Sequence, residues 1–140
     1  MSDRQVIQDE YFTVLVDERR GLVRTIRSEK PFDSLEELDD VFERLGRALD
    51  ELGRSRYGLL ADLRAGPGRN DPPWEAALER LRPLWVDGFQ KVGVLVRSTA
   101  GQMQIQRHAR HDGVPRMISK DEDELLKYLT QDGQATCRPP

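Results

Sequence analysis

The chain has 140 residues, which fits one domain and leaves little material for a second. Charged residues make up 34% and hydrophobic ones 37%, the balance of a water-soluble globule, and the net charge of −3 gives no overall attraction to nucleic acid or anionic membrane. No apolar run nears the roughly 18 residues that span a bilayer, the first residues lack the apolar core of a secretory signal, and the single Cys137 cannot staple its own chain, so the cytoplasm is the expected compartment.

Residues 1–10 are polar and read as a flexible N-terminus. Tyr11 to Asp17 is apolar and β-branched, Gly21 closes a turn, and Leu22 to Arg27 alternates apolar with charged residues; together they predict a hairpin with one wet face. Leu35, Leu38, Phe42, Leu45, Leu49 and Leu52 recur at steps of three and four and share a helical face. Ser34 and Glu37 form a capping box at its start, and Gly53 ends it. Tyr57 to Leu63 is a short apolar run of the kind buried on both faces of a parallel sheet.

The breaker-rich loop from Ala65 to Pro73 precedes a second helix with Trp74, Ala77, Leu78, Leu81 and Trp85 facing inward. Pro83 falls inside that pattern, where its ring should clash with the Glu79 carbonyl, so a kink or break is expected. Lys91 to Arg97 is another buried-type strand. Thr99 and Gln102 repeat the capping-box spacing and open a third, weakly amphipathic helix through about His111. Val114 to Ser119 is a short strand, and Ser119 with Glu122 opens a last helix carrying Leu125, Leu126 and Leu129.

The order is therefore β-β-α-β-α-β-α-β-α. It predicts an α/β fold with a mixed, mostly parallel sheet, an N-terminal β-hairpin and four helices, in a single domain over residues 11–130 with a disordered tail at 131–140. This order, the helix entry from Asp33 to Leu38, the strand Leu59 to Leu63 and the closing stretch from Arg116 to Leu129 resemble the STAS-like domains related to anti-sigma-factor antagonists, particularly their SpoIIAA-like branch. The resemblance implies a regulatory role exerted through protein contacts. Signalling members of that family carry a phosphorylatable serine at the start of the helix after the central strand. Here the matching stretch is Gly66 to Asp71, and no Ser or Thr lies between Arg64 and Arg97, so that switch does not carry over to this position. Asp71 before Pro72 reads instead as a helix N-cap followed by proline at the first helical position.

Ligands of parallel sheets bind outside the C-terminal ends of the strands. Arg64, Arg69, Asn70, Trp74, Ser98 and Thr99 are the candidates there, either for a small polar pocket or partner-docking edge, or as ordinary turn and cap residues. The Gly66-Pro67-Gly68 loop is no phosphate cradle: it lacks the Lys-Ser/Thr ending of a P-loop, and Pro67 removes a donor. His108 and His111 lie three apart, yet no Cys or further His completes a metal site. Residues 33–52 hold eight acidic and two basic residues, against five basic and one acidic between Arg97 and Lys120, an asymmetry that steers anionic partners or pairs protomers. Base-stacking aromatics are missing from the basic stretch, which makes nucleic acid an unlikely partner. No Gly-x-Ser-x-Gly elbow, His-Glu-x-x-His or Cys–His nucleophile occurs.

These features point to a non-enzymatic regulatory or protein-interaction module without a cofactor. Its partner would be another protein or a second copy; aromatics on the helix bearing Trp85 and Phe89 would serve the latter if exposed, and burial within one domain explains them equally well. The alternative is a carrier of a small apolar ligand in a sheet–helix pocket, with the third helix as its lid.

Overall fold

The computed structural model of the chain describes residues 3–67, 71–103, 106 and 115–130. Six strands follow one another across a single sheet: β1 (Asp3–Gln8), β2 (Phe12–Asp17), β3 (Leu22–Arg27), β4 (Gly58–Asp62), β5 (Val92–Leu95) and β6 (Met117–Ser119). The β1/β2 and β2/β3 pairs are antiparallel; β3/β4, β4/β5 and β5/β6 are parallel. Among the described residues, helices form at α1 (Leu35–Leu52), α2 (Pro72–Val86) and α3 (Glu122–Thr130), with a 3-10 turn at Arg54–Arg56. Residues 99–103 and 106 are also helical and belong to the element expected from Thr99. The fold is thus the expected α/β class with a mixed, mostly parallel sheet, and it contains one strand more than the sequence suggested.

That strand is β1, and it corrects the reading of residues 1–10 as loose. Val6 and Ile7 both pack against the main core, and a register shift between Gln5 and Ile7 lets the two consecutive residues do so. The bulge breaks the two-residue alternation that marks a strand, which is why the pattern was hidden.

One face of the sheet is covered by α1 and α2. Leu38, Val41, Phe42, Leu45 and Leu49 of α1 are buried there, with Trp74, Ala77, Leu81 and Trp85 of α2. Each such large side chain contributes about 1.5–3 kcal/mol on leaving water. Phe12, Phe42 and Trp85 meet edge to face with centroids 5.4–5.9 Å apart, and the buried Trp85 Nε1–H donates to Thr25 Oγ1 at 3.0 Å. Trp85 is therefore a core residue and not an exposed dimer contact, and Phe89 packs against this core beneath the Arg54 guanidinium.

The opposite face is covered by α3, which lies across β4, β5 and β6 and joins Leu125 and Leu129 to Leu22, Leu60 and Leu95. Gly93 makes the close approach possible: a Cβ there would stand 3.2 Å from Leu129 Cδ1 and 3.3 Å from Leu125 Cδ2.

The helix ends refine the expected caps. Ser34 Oγ accepts from Glu37 N at 3.1 Å, but Glu37 Oε1 reaches back to Asp33 N, one residue before the cap. Gly53 ends α1 with φ +87°, the left-handed conformation glycine adopts without strain. Asp71 is the N-cap of α2 through its carbonyl, which accepts from Trp74 N and Glu75 N. Pro72 and Pro73 leave the first two helical positions without an N–H for its side chain to take.

The expected break at Pro83 is absent, and α2 runs unbroken to Val86. Pro83 removes a single bond, to the Glu79 carbonyl, three residues before the helix ends. The late carbonyls then find another donor. Arg54 reaches across from the end of α1 to Leu84 O, to Trp85 O at 3.2 Å and to Asp87 O at 2.6 Å.

Candidate functional site

The C-terminal ends of β3, β4 and β5 open onto one rim, and its chemistry divides between the two faces of the sheet. Side chains alternate along β4: Leu59 and Ala61 join the α1–α2 core, while Leu60 and Asp62 face α3. Arg24 of β3 shares the α3 face, because it contacts both Asp62 and the first residue of α3.

On that face four charged residues converge. Asp62 is 5% exposed, and it accepts from Arg64 Nε at 3.0 Å, Arg64 Nη2 at 2.8 Å and Arg64 N at 3.1 Å. Arg24 Nη1 approaches the same carboxylate at 4.0 Å, and Arg24 Nη2 donates to Glu122 Oε2 at 2.8 Å. Arg64 Nη2 touches the other Glu122 oxygen at 3.5 Å, the long end of hydrogen-bond geometry. Burial works against ionisation of Asp62, but the hydrogen bonds from Arg64 and the charge of Arg24 outweigh it and hold its pKa below the ordinary aspartate value. The bond to Asp62 pushes the Arg64 guanidinium in the complementary direction, upward. Asp62 thus stays a carboxylate at neutral pH and fixes two guanidinium groups side by side. Arg64 keeps nearly half of its side chain in solvent.

The other candidates lie apart from this cluster. Trp74 is 7% exposed and belongs to the opposite face, where its ring lies 6.1 Å from that of Phe32. Arg64 and Trp74 therefore share a rim but not a pocket. Ser98, not Thr99, caps the helical segment that follows β5: Gly101 N donates to Ser98 Oγ at 3.1 Å and Gln102 N to Ser98 O at 3.0 Å. Gln102 is consequently free of the expected cap and donates from Nε2 to Ile118 O at the β6 edge. Thr99 Oγ1 accepts from Lys120 Nζ at 3.0 Å. Arg69, Asn70, His108 and His111, with the tail at 131–140, lie outside the described residues.

The last cap moves in the same way. Asp121, not Ser119, receives Asp123 N at 3.0 Å and Glu124 N at 3.4 Å, while Ser119 Oγ donates to Glu124 Oε1. Glu122 is thereby released to face the two arginines. The sequence reading missed Arg24, Asp62 and Glu122. The signal it passed over is a carboxylate inside an otherwise apolar run, Leu59 to Leu63, followed two residues later by Arg64.

Elsewhere on the rim, Arg27 is buried and turned toward the backbone. Its guanidinium donates to the carbonyls of Ser28 at 2.8 Å and Lys30 at 2.7 Å and lies 4.4 Å from the centre of the Phe32 ring. Desolvation lowers its pKa. Its bonds fold the 28–32 loop over the aromatic core, a structural task. A groove of about 320 Å³ lies at the β1–β2 side of the same end of the sheet, lined by Ile7, Gln8, Asp9, Phe12, Arg44 and Leu45. Among the described residues no group of three or more His, Cys, Asp or Glu side chains is placed to hold a metal ion, and no helix is long and apolar enough to cross a membrane.

Fold and rim together define an α/β module in which a buried aspartate organises two arginines, of which Arg64 is nearly half exposed. No protein-family model matches the chain, and no curated protein matches it. Among solved structures it is similar to an uncharacterised protein from the DUF3478 family with a SpoIIAA-like fold from Shewanella loihica PV-4, at 12% identity over 91% of each chain and a TM-score of 0.49.

Proposed function

We propose that the chain is a non-enzymatic regulatory or protein-interaction module, working in the cytoplasm, whose contact surface is the C-terminal rim around Arg64. The observation that supports this is the state of the rim's buried carboxylate, Asp62. A general acid or base works best with a pKa moved toward neutrality. That of Asp62 is moved away from it, and its oxygens are taken up by Arg64. Such an arrangement favours a role in organising charge over one in proton transfer. The product is an exposed guanidinium held in a fixed position, the kind of side chain that anchors protein contacts.

The carrier reading draws less support. Phe12, Phe42, Trp74, Leu81 and Trp85 pack into one core between the sheet and α1–α2.

The test is capture of the tagged full chain from its native cells after in-cell cross-linking, run beside an Arg64→Glu variant of equal abundance. A protein enriched at least tenfold with the parent chain and lost with Arg64→Glu is expected. Recovery of the chain alone, or of the same proteins with both chains, would overturn the assignment.

A further inference from the structure

Helix α3 covers only half of its side of the sheet. It lies across β4, β5 and β6, and the same face continues over β3, β2 and β1. Cross-strand partners share a face, so the pairs Thr13–Ile26 and Leu15–Arg24 place these four side chains together, beside Gln8 and Gln5 of β1. Arg24 identifies the face as that of α3, since it bonds Glu122. Leu15 and Ile26 are half-buried, and neither belongs to the α1–α2 core or to the cluster beneath α3. They form an apolar pair on a strip with no described helix above it.

The strip has a definite width and a definite charge. Strands spaced about 4.8 Å apart put β1 and β3 about 10 Å from one another, the width of one helix laid beside α3. At its border stand Arg24 and Arg64, two guanidinium groups sharing one buried carboxylate, Asp62. Their second counter-charge, Glu122, is one-third exposed, sits on the first residue of a nine-residue helix and reaches Arg64 only at 3.5 Å. With Glu122 turned away, the border carries one uncompensated positive charge next to two half-buried aliphatic side chains.

We propose that this strip is the seat of a partner protein's amphipathic helix, whose apolar stripe covers Leu15 and Ile26 and whose carboxylate takes the place of Glu122 on Arg24 and Arg64. Glu122 is then an internal competitor that lowers the affinity of the empty module. The proposal rests on reading the chain as a protein-interaction module and names the chemistry of its partner.

A display library of randomised 18-residue helical peptides, selected on the purified full chain, tests it. The expected winners combine apolar residues at steps of three and four with an Asp or Glu. Their affinity, read by fluorescence anisotropy, should fall at least tenfold with Leu15→Arg, Ile26→Arg or Arg64→Gln, and rise severalfold with Glu122→Gln. Leu15→Thr and Ile26→Thr keep strand propensity and serve if circular dichroism shows the arginine variants unfolded. No recovered peptide, winners without a carboxylate, or winners that bind the Leu15 and Ile26 variants as tightly as the parent would overturn the inference. So would sedimentation showing a dimer of the parent that Leu15→Arg dissolves, because the occupant would then be a second copy. A cellular partner that depends on Arg64 but not on Leu15 or Ile26 would sink this inference alone. A partner that depends on none of them would sink the broader reading.

Discussion

Replacing Asp62 by Asn separates the charge of the buried carboxylate from its shape. Asn keeps an oxygen for Arg64 N, but its amide hydrogens would face guanidinium donors where the second carboxylate oxygen now accepts from Arg64 Nη2 at 2.8 Å. Removing one partner from a buried ion pair costs about 3–5 kcal/mol. Arg64 is nearly half exposed and can rehydrate, which places the expected loss at the lower end, about 3 kcal/mol. Against a total stability of about 5–15 kcal/mol this is a large share. Urea unfolding followed by tryptophan fluorescence measures it, since Trp74 and Trp85 are both buried. The pH dependence has a definite sign. The folded pKa of Asp62 lies below that of the unfolded chain, near about 3.9, so its contribution is complete above roughly pH 5 and disappears as pH falls through the folded value. The gap between parent and Asp62→Asn should therefore be constant from about pH 7 to pH 5 and close in more acid solution. A loss under about 1 kcal/mol at pH 7, or a gap that persists in acid, would refute the assignment of the stability to charge.

Three further perturbations test the frame around the site. Arg54→Lys should cost about 2 kcal/mol in the same unfolding assay, because one ammonium cannot serve the carbonyls of Gly46, Leu84, Trp85 and Asp87 that the guanidinium fork reaches; a loss below about 0.5 kcal/mol would deny the fork that role. Tyr11→Phe should leave the melting temperature unchanged or raise it, since the buried hydroxyl has no partner of good geometry; a clear fall would show that it bonds Glu37 after all. Val6→Asp should release β1, seen as faster amide exchange at residues 3–8 and a lower melting temperature; protection equal to the parent's would mean that β1 is held by its backbone bonds alone.

The fold was legible wherever a repeating pattern met a strong end signal. Leu22 to Arg27 and Leu35 to Leu52 appear with their expected bounds, because alternation in the one and a three-four repeat in the other leave little choice of face. Pattern reading failed at β1, where a bulge puts Val6 and Ile7 on the same core. It also failed at Pro83, where the proline stands so near the end of α2 that only one helical bond is lost and the helix runs on to Val86. Of the site candidates, Arg64 stands in the charged cluster and Trp74 in the core, and nothing local in the sequence says which face of the sheet each side chain will join.

The capping boxes explain why the cluster itself stayed hidden. Ser34 and Glu37 have the spacing and use it, with the carboxylate shifted by one residue. Thr99 and Gln102, and Ser119 and Glu122, have the same spacing and do not, because Ser98 and Asp121 take the caps first. Each displaced pair leaves one long polar side chain without its local task, and each of these finds another partner. Gln102 covers a carbonyl on the β6 edge, where an open strand would invite pairing with another chain. Glu122 covers the two arginines beside the open strip. A carboxylate that kept its cap could not be displaced without fraying α3. One that has been relieved of the cap by Asp121 can leave Arg24 and Arg64 while the helix stays formed. Removing the cap tests this: in Asp121→Ala, the Ser119 oxygen already accepts from the backbone N–H of residue 121 and offers α3 no substitute, so α3 should lose about 1 kcal/mol of local stability. Hydrogen exchange confined to the first turn of α3 would show the loss, and an unchanged exchange rate there would mean that Asp121 is not what frees Glu122.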